Sequence, residues 1–227
     1  VGRLSALILS ALALGLAGCD GKKGDPPPPP PTGGRSEAVV AKSAAPSARP
    51  APTAAAHTAT TQQPPRALCV GQEPRPAPRS ALKTEAAPGA TSLPPTPGFG
   101  VGKWVWVNLW AAWCGPCKEE MPRLLAWQQK LSASGVLLDL AFVSLDDDER
   151  QLQRFLEAQP PTGVRASYWL PDGSQRTSWL GSLGVKDGAS LPVHALVAPS
   201  GQIACVIHGA VEDRDYATIA AFVGAKR

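Results

Sequence analysis

The first 98 residues contain no aromatic side chain; all seven Trp, four Phe and two Tyr lie between Phe99 and Phe222. The same stretch holds 18 of the 25 Pro. A segment rich in Pro and Ala and free of aromatics cannot bury enough apolar surface to offset its ordering entropy. Two full domains are therefore excluded, although 227 residues would allow them. Long apolar runs are also missing. The longest, from Leu4 to Leu16, has 13 positions, short of the roughly 20 that a membrane-spanning helix needs. Charge of one sign is not in excess: the net charge is +4, and no Lys/Arg stripe with interleaved aromatics occurs. That excludes nucleic acid as the partner. Cysteine is scarce and odd in number, at five, so at least one has a task other than an intramolecular disulfide.

What is present begins with that short apolar run, which suits the central region of a signal peptide. It ends in Leu16-Ala17-Gly18-Cys19, which resembles the lipobox of bacterial lipoproteins. The resemblance implies a signal peptide over 1–18, with Cys19 lipidated as the first mature residue. The small side chains at Ala17 and Gly18 leave the bond open to a peptidase, and the Cys19 thiol accepts the diacylglyceryl group. From 19 to 66 the chain reads as a disordered Pro/Ala-rich tether. Its six consecutive Pro, Pro26 to Pro31, favour extended polyproline II, and the Ala/Pro/Thr/Ser stretch behind them is low in complexity.

The remainder, 67–227, alternates strands and helices. Lys103–Trp110 reads as a buried strand, followed by a helix from about Cys114 to Ser134 with Gly135 as its stop and Pro122 predicting a kink. Val136–Ser144 is a second buried strand. The Asp146–Asp148 group caps a helix running to Gln159, with Leu152, Phe155 and Leu156 as its apolar face. A short strand over Ala166–Leu170, a helix over Thr177–Leu183, a hairpin of Val193–Val197 with Gln202–Ile207, and a helix over Glu212–Val223 complete the pattern. This order predicts an α/β domain with a mixed sheet.

Where the first long strand turns into the first long helix stands Trp113-Cys114-Gly115-Pro116-Cys117. Cys114 lies beside unpaired backbone N–H groups and the positive end of the helix dipole, both of which stabilise a thiolate. Only the thiolate attacks a disulfide, so Cys114 is the nucleophile and Cys117, one turn into the helix, the resolving thiol. Pro116 lacks an N–H, which costs little in a first helical turn. A structural zinc site is the rival reading, but it wants four ligands, and neither a second Cys-x-x-Cys nor a spaced His pair occurs. His194 is two residues beyond Pro192, His208 ends the last strand and His57 lies in the tether. Lys118, not His, follows Cys117, against haem attachment.

The run Val105-Trp106-Val107-Asn108-Leu109-Trp110-Ala111-Ala112-Trp113-Cys114-Gly115-Pro116-Cys117-Lys118-Glu119-Glu120-Met121-Pro122 resembles the active-site segment of thioredoxin-like proteins. More narrowly it is similar to extracytoplasmic TlpA/ResA-type thiol-disulfide oxidoreductases, with Asn108 where cytosolic thioredoxins carry a buried Asp and Pro122 matching a helix Pro of the family. The resemblance spans roughly Lys103 to Gly224. It implies a thioredoxin-like fold, a central mixed β-sheet flanked by helices. It also implies a cis peptide at Leu191-Pro192 beside the disulfide, where Leu191 offers its backbone to an extended substrate segment. Trp113, Gly115, Pro116 and Leu191 then form the substrate-docking rim. Many relatives have Thr or Val before this Pro, where this chain has Leu191.

Two Cys remain. Either Cys69 and Cys205 form a structural disulfide fastening the start of the domain to the sheet, or they are two separate buried thiols. Glu119 and Glu120 read as a solvated face friendly to the helix dipole; the sharper alternative is that one of them accepts the Cys117 proton, which Asn108 cannot. The Trp residues 104, 106, 110 and 127 belong to the core. The resemblance implies a protein-disulfide reductase of the bacterial cell envelope, anchored to a membrane through Cys19 and facing the periplasm or the cell exterior. It would use no cofactor beyond its redox-active disulfide and no metal. Its partners would be disulfide-containing extracytoplasmic proteins, with apocytochrome c or a metallochaperone among them, and a membrane electron donor. The alternative is a metal-carrying or partner-binding thioredoxin-fold lipoprotein without redox turnover.

Overall fold

A computed structural model describes residues 64, 66–70 and 72–225. The predicted signal peptide, Cys19 and all of the tether except Pro64 and Arg66 lie outside the described residues. Eleven strands and helices are described: β1 (Arg75–Pro76), β2 (Lys83–Ala86), β3 (Trp104–Trp110), α1 (Gly115–Ala133), β4 (Leu138–Ser144), α2 (Glu149–Ala158), β5 (Ala166–Trp169), α3 (Ser174–Leu183), β6 (Val193–Val197), β7 (Gln202–His208) and α4 (Tyr216–Ala225). The strands form one mixed sheet in the order β1-β7-β6-β3-β4-β5-β2. No helix among the described residues is long and apolar enough to cross a membrane.

The central strand β3 is buried at every position, because it pairs in parallel with β4 and antiparallel with β6 and is covered on both faces. Its side chains alternate between two cores, as strand geometry requires. Trp104, Trp106 and Trp110 face a cluster with Leu124, Trp127 and Leu131 of α1, Leu152 and Leu156 of α2, and Ile219 and Val223 of α4. Val105, Val107 and Leu109 face the opposite cluster, with Trp179, Leu180 and Leu183 of α3. Helices therefore cover both sides of the sheet.

The long helix α1 starts one residue after its N-cap, Cys114, and stops at Ser134, whose hydroxyl donates to Leu131 O at 2.7 Å. Gly135 follows at φ 83°, a left-handed conformation that Gly adopts without a Cβ clash. The helix runs through Pro122, which stands on its exposed side. Helix α2 is capped by Asp148 alone, its side chain accepting from Arg150 N at 3.0 Å. Asp146, expected as part of that cap, is instead fully buried at the end of β4.

Two strands were not expected. Both are short edge strands without an apolar run: β2 is Lys-Thr-Glu-Ala, held antiparallel against β5, and β1 is a two-residue Arg-Pro bridge on β7. Charge and Pro on an edge discourage further pairing. The same features hide such strands from a hydrophobic-period reading. The last helix begins later than expected, at Tyr216, after a single 3-10 turn over Asp213–Asp215.

Candidate active site

The turn Ala111–Trp113 carries the chain from β3 into α1 and is hung from β4. The Ala112 N–H is shared between both Asp146 carboxylate oxygens at 3.0 and 2.9 Å, and Ser144 Oγ donates to Asp146 Oδ2 at 2.7 Å. Trp169 Nε1 donates to the Asp146 carbonyl at 2.7 Å, and Leu145 N to Trp110 O at 2.8 Å. The start of α1 is thereby held against the end of the sheet, and Cys114 N closes the turn on Ala111 O at 2.9 Å.

Cys114 and Cys117 are joined as a disulfide, with 5.3 Å between their Cα atoms. As N-cap, Cys114 accepts the Cys117 backbone N–H on its sulfur at 3.3 Å. The helix thus directs one of its unpaired donors onto the sulfur that would carry the thiolate charge, and no carboxylate occupies the first turn of α1 to oppose it. Cys117 is fully buried and Cys114 is 4% exposed, while Gly115 and Pro116 are exposed and Trp113 is 65% exposed. The exposed surface beside Cys114 is therefore this small rim of Trp113, Gly115 and Pro116.

The Leu191–Pro192 peptide is cis. Register pairs Leu109 with Val193, so Pro192 stands level with Trp110, at the same end of the sheet as the motif. Pro192 is buried and its carbonyl accepts from Gly209 N at 2.9 Å. Leu191 is half-buried and packs against both cores.

Beneath the motif lies a fully buried polar group. Glu119 is exposed as expected, but Glu120 is not on a solvated face: it has no exposure at all. The buried stripe of α1 runs Cys117, Glu120, Met121, Leu124, Trp127, Leu131, and a residue three after Cys117 falls on that stripe by helical spacing. Glu120 Oε1 accepts from Asn108 Nδ2 at 2.8 Å, and its Oε2 accepts from Val211 N at 3.0 Å. His194 Nε2 stands 3.4 Å from the same Oε2, and Trp106 Nε1 donates to His194 Nδ1 at 3.1 Å. The spacing after Cys117 could have found Glu120. Nothing in the linear sequence pairs Trp106 with His194, because that contact depends on the β3–β6 register and on both side chains facing α1.

Cys69 and Cys205 are bonded, 136 residues apart. The segment around Cys69 is fastened both to β7 and to the turn that follows it. Arg66 Nε donates to Asp215 Oδ1 at 2.9 Å, Nη2 of Arg66 bonds Asp215 Oδ2, and Nη2 also donates to Ala210 O at 2.9 Å. The Gln72 amide donates to Val206 O at 2.8 Å and accepts from Val206 N at 2.6 Å, as a paired strand would. Cys69 has φ 65°, uncommon for a residue with a Cβ. Among the described residues no group of three or more His, Cys, Asp or Glu is arranged to hold a metal ion.

A family model described as the AhpC/TSA family matches residues 75–206, more than half of the chain. The chain belongs to the AhpC/TSA family. As a member of it, the chain is 30% identical over 111 residues to the thiol-disulfide oxidoreductase ResA of Oceanobacillus iheyensis, covering 48% of this chain and 52% of that protein. It is 31% identical over 75 residues to the thioredoxin-like protein YneN of Bacillus subtilis, covering 30% of this chain and 44% of that one. The chain spans about half the length of these curated relatives. A solution structure of a candidate protein disulfide isomerase from Bacteroides thetaiotaomicron superposes with a TM-score of 0.50 at 16% identity, over 67% of this chain and 87% of that one. The fold of this AhpC/TSA-family chain is thus thioredoxin-like, with a central mixed sheet flanked by helices.

Proposed function

We propose that this chain is a thiol-disulfide oxidoreductase of the cell envelope, reducing protein disulfides through Cys114 and Cys117 while Cys19 anchors it to a membrane. The observation that carries the reading is the Cys114 sulfur at the head of α1. It receives a backbone N–H, stands beside an exposed Trp-Gly-Pro rim, and is bonded to a Cys117 that is wholly buried. In the reduced state the Cys114 thiolate attacks one sulfur of a substrate disulfide, forming a mixed disulfide and expelling the other sulfur as a thiolate that takes up a proton. Cys117 then gives up its proton and attacks the Cys114 sulfur, restoring the Cys114–Cys117 bond and releasing the second substrate thiol. Two electrons pass from the dithiol to the substrate, and a dithiol donor at the membrane returns them.

Trp113, Gly115 and Pro116 receive the substrate segment, and the Leu191 backbone before cis-Pro192 pairs with it. Glu120, one turn beyond Cys117 on the same buried stripe, accepts the Cys117 proton; Asn108 has no basic group to do so. Apocytochrome c or a metallochaperone would suit as substrate. The Gly-Pro pair between the cysteines matches thioredoxin, near −270 mV, rather than a strong oxidant near −120 mV.

The test is the potential of the Cys114/Cys117 couple, measured against glutathione. A value near that of thioredoxin, together with reduction of insulin disulfides, supports a reductase. A couple more oxidising than about −180 mV would overturn the direction of the reaction.

A further inference from the structure

Glu120 lies in a pocket of donors: Asn108 Nδ2 at 2.8 Å, Val211 N at 3.0 Å and, at 3.4 Å, His194 Nε2. Whether that third group carries a proton depends on its other nitrogen, and there the structure is specific. An indole N–H can only donate. Trp106 Nε1 points at His194 Nδ1 from 3.1 Å with the two rings edge-on at 74°, and Asn108 Nδ2 stands 3.3 Å from the same nitrogen. The Asn108 amide is oriented by Glu120, since its Nδ2 bonds the carboxylate. Two donors therefore converge on Nδ1, which must present its lone pair. The ring then carries its proton on Nε2, the nitrogen facing Glu120. Trp106, Asn108, Glu120 and His194 are all fully buried, so no solvent competes for these bonds.

We infer that Trp106 locks His194 as the neutral Nε2–H tautomer, and that His194 so held is a positioning residue that aims a donor at Glu120. The second half rests on the proposed redox reading; the lock itself does not. In the oxidised state described here, His194 Nε2 and Asn108 Oδ1 have no hydrogen-bond partner despite full burial. Such groups are rare and call for an explanation. A donor in reserve beside a carboxylate supplies one. A small ring rotation would let Nε2–H complete a third bond to the Glu120 carboxylate; Lys118 and Glu119 nearby on α1 are exposed and take no part. The three side chains reach one point from three places: β3 gives Trp106, β6 gives His194 and α1 gives Glu120.

The test joins a spectroscopic signature with a conservative rescue, both on the full chain. Nitrogen-15 NMR of the His194 ring at neutral pH is expected to show Nε2 protonated and Nδ1 bare. A ring protonated at Nδ1, or at both nitrogens, overturns the lock. His194→Gln keeps a side-chain N–H near the Nε2 position and is expected to reduce insulin disulfides within about threefold of the parent. His194→Leu loses the donor and is expected to be slower by about tenfold or more, the size of one hydrogen bond to a charged group. Thermal unfolding of both variants separates this from misfolding. Equal rates for folded Gln and Leu variants overturn the positioning role. If the parent reduces no disulfide at all, the redox reading and the positioning role fall together, while the ring signature still decides the lock.

Discussion

The two disulfides contain the same bond and differ in everything around it. Cys114 and Cys117 are three residues apart, at a helix start beside exposed Trp113, Gly115 and Pro116, over a buried carboxylate and imidazole. Cys69 and Cys205 are 136 residues apart, joining an N-terminal segment to β7, and Gln72 bonds the same strand while Arg66 bonds the turn beyond it. A short loop gains little from closure, whereas a long one gains much. A sulfur at a helix N-terminus is stabilised as a thiolate, whereas one in mid-strand has no such donors. The contrast teaches that surroundings, not bond chemistry, divide the proposed redox couple from a staple.

That contrast can be broken most severely at Cys114, the proposed nucleophile. Cys114→Ser should lower insulin reduction on the order of 10³-fold or more and leave the unfolding midpoint in denaturant close to that of the reduced parent. The mirror experiment is Cys69→Ser with Cys205→Ser. It should leave disulfide reduction intact while costing up to roughly 5 kcal/mol in the chain-entropy account, read from urea unfolding. If that variant loses activity at unchanged stability, the division of labour is wrong.

A finer test concerns the ion pair that fastens the same segment. Burial pushes the Asp215 carboxyl up, but the Arg66 hydrogen bonds, the Glu212 N–H and the charges of Arg66 and Arg214 outweigh it and hold it below its ordinary value. A carboxyl lowered by folding stabilises the protein above the unfolded value of about 3.9 and loses that contribution as pH falls through the folded one. The parent should therefore lose more thermal stability between neutral pH and pH 3 than Asp215→Asn, which should itself be weaker by about 2 kcal/mol at pH 7. The smallest effect belongs to the rim. Trp113→Ala should change stability by less than about 0.5 kcal/mol while raising KM for a protein substrate about fivefold, with a small disulfide such as oxidised glutathione little affected.

Much of this could be read from residue order. The β3–α1 junction, the Cys114 cap, the β6–β7 hairpin and the Trp104, Trp106, Trp110 and Trp127 core all follow from period and cap chemistry, which act within a few residues. The edge strands β1 and β2 do not, because neither has an apolar face and each exists only through its partner strand. By its neighbours Asp147 and Asp148, Asp146 resembles part of a helix cap. Its real task, receiving the Ala112 N–H, involves a turn 34 positions away. Charge alone makes Glu119 and Glu120 look like a solvated pair, although three-residue spacing from Cys117 points Glu120 inward.

By itself, then, the sequence determined the motif, its place at a strand–helix junction and the lopsided distribution of Pro and aromatics, all set by local spacing and composition. Only the tertiary structure decided which thiols pair outside the motif, which carboxylates are buried and which nitrogen of His194 faces Glu120. Those outcomes depend on strand register and on which face of the sheet each helix covers, since a shift of one residue in a strand sends every side chain to the other side.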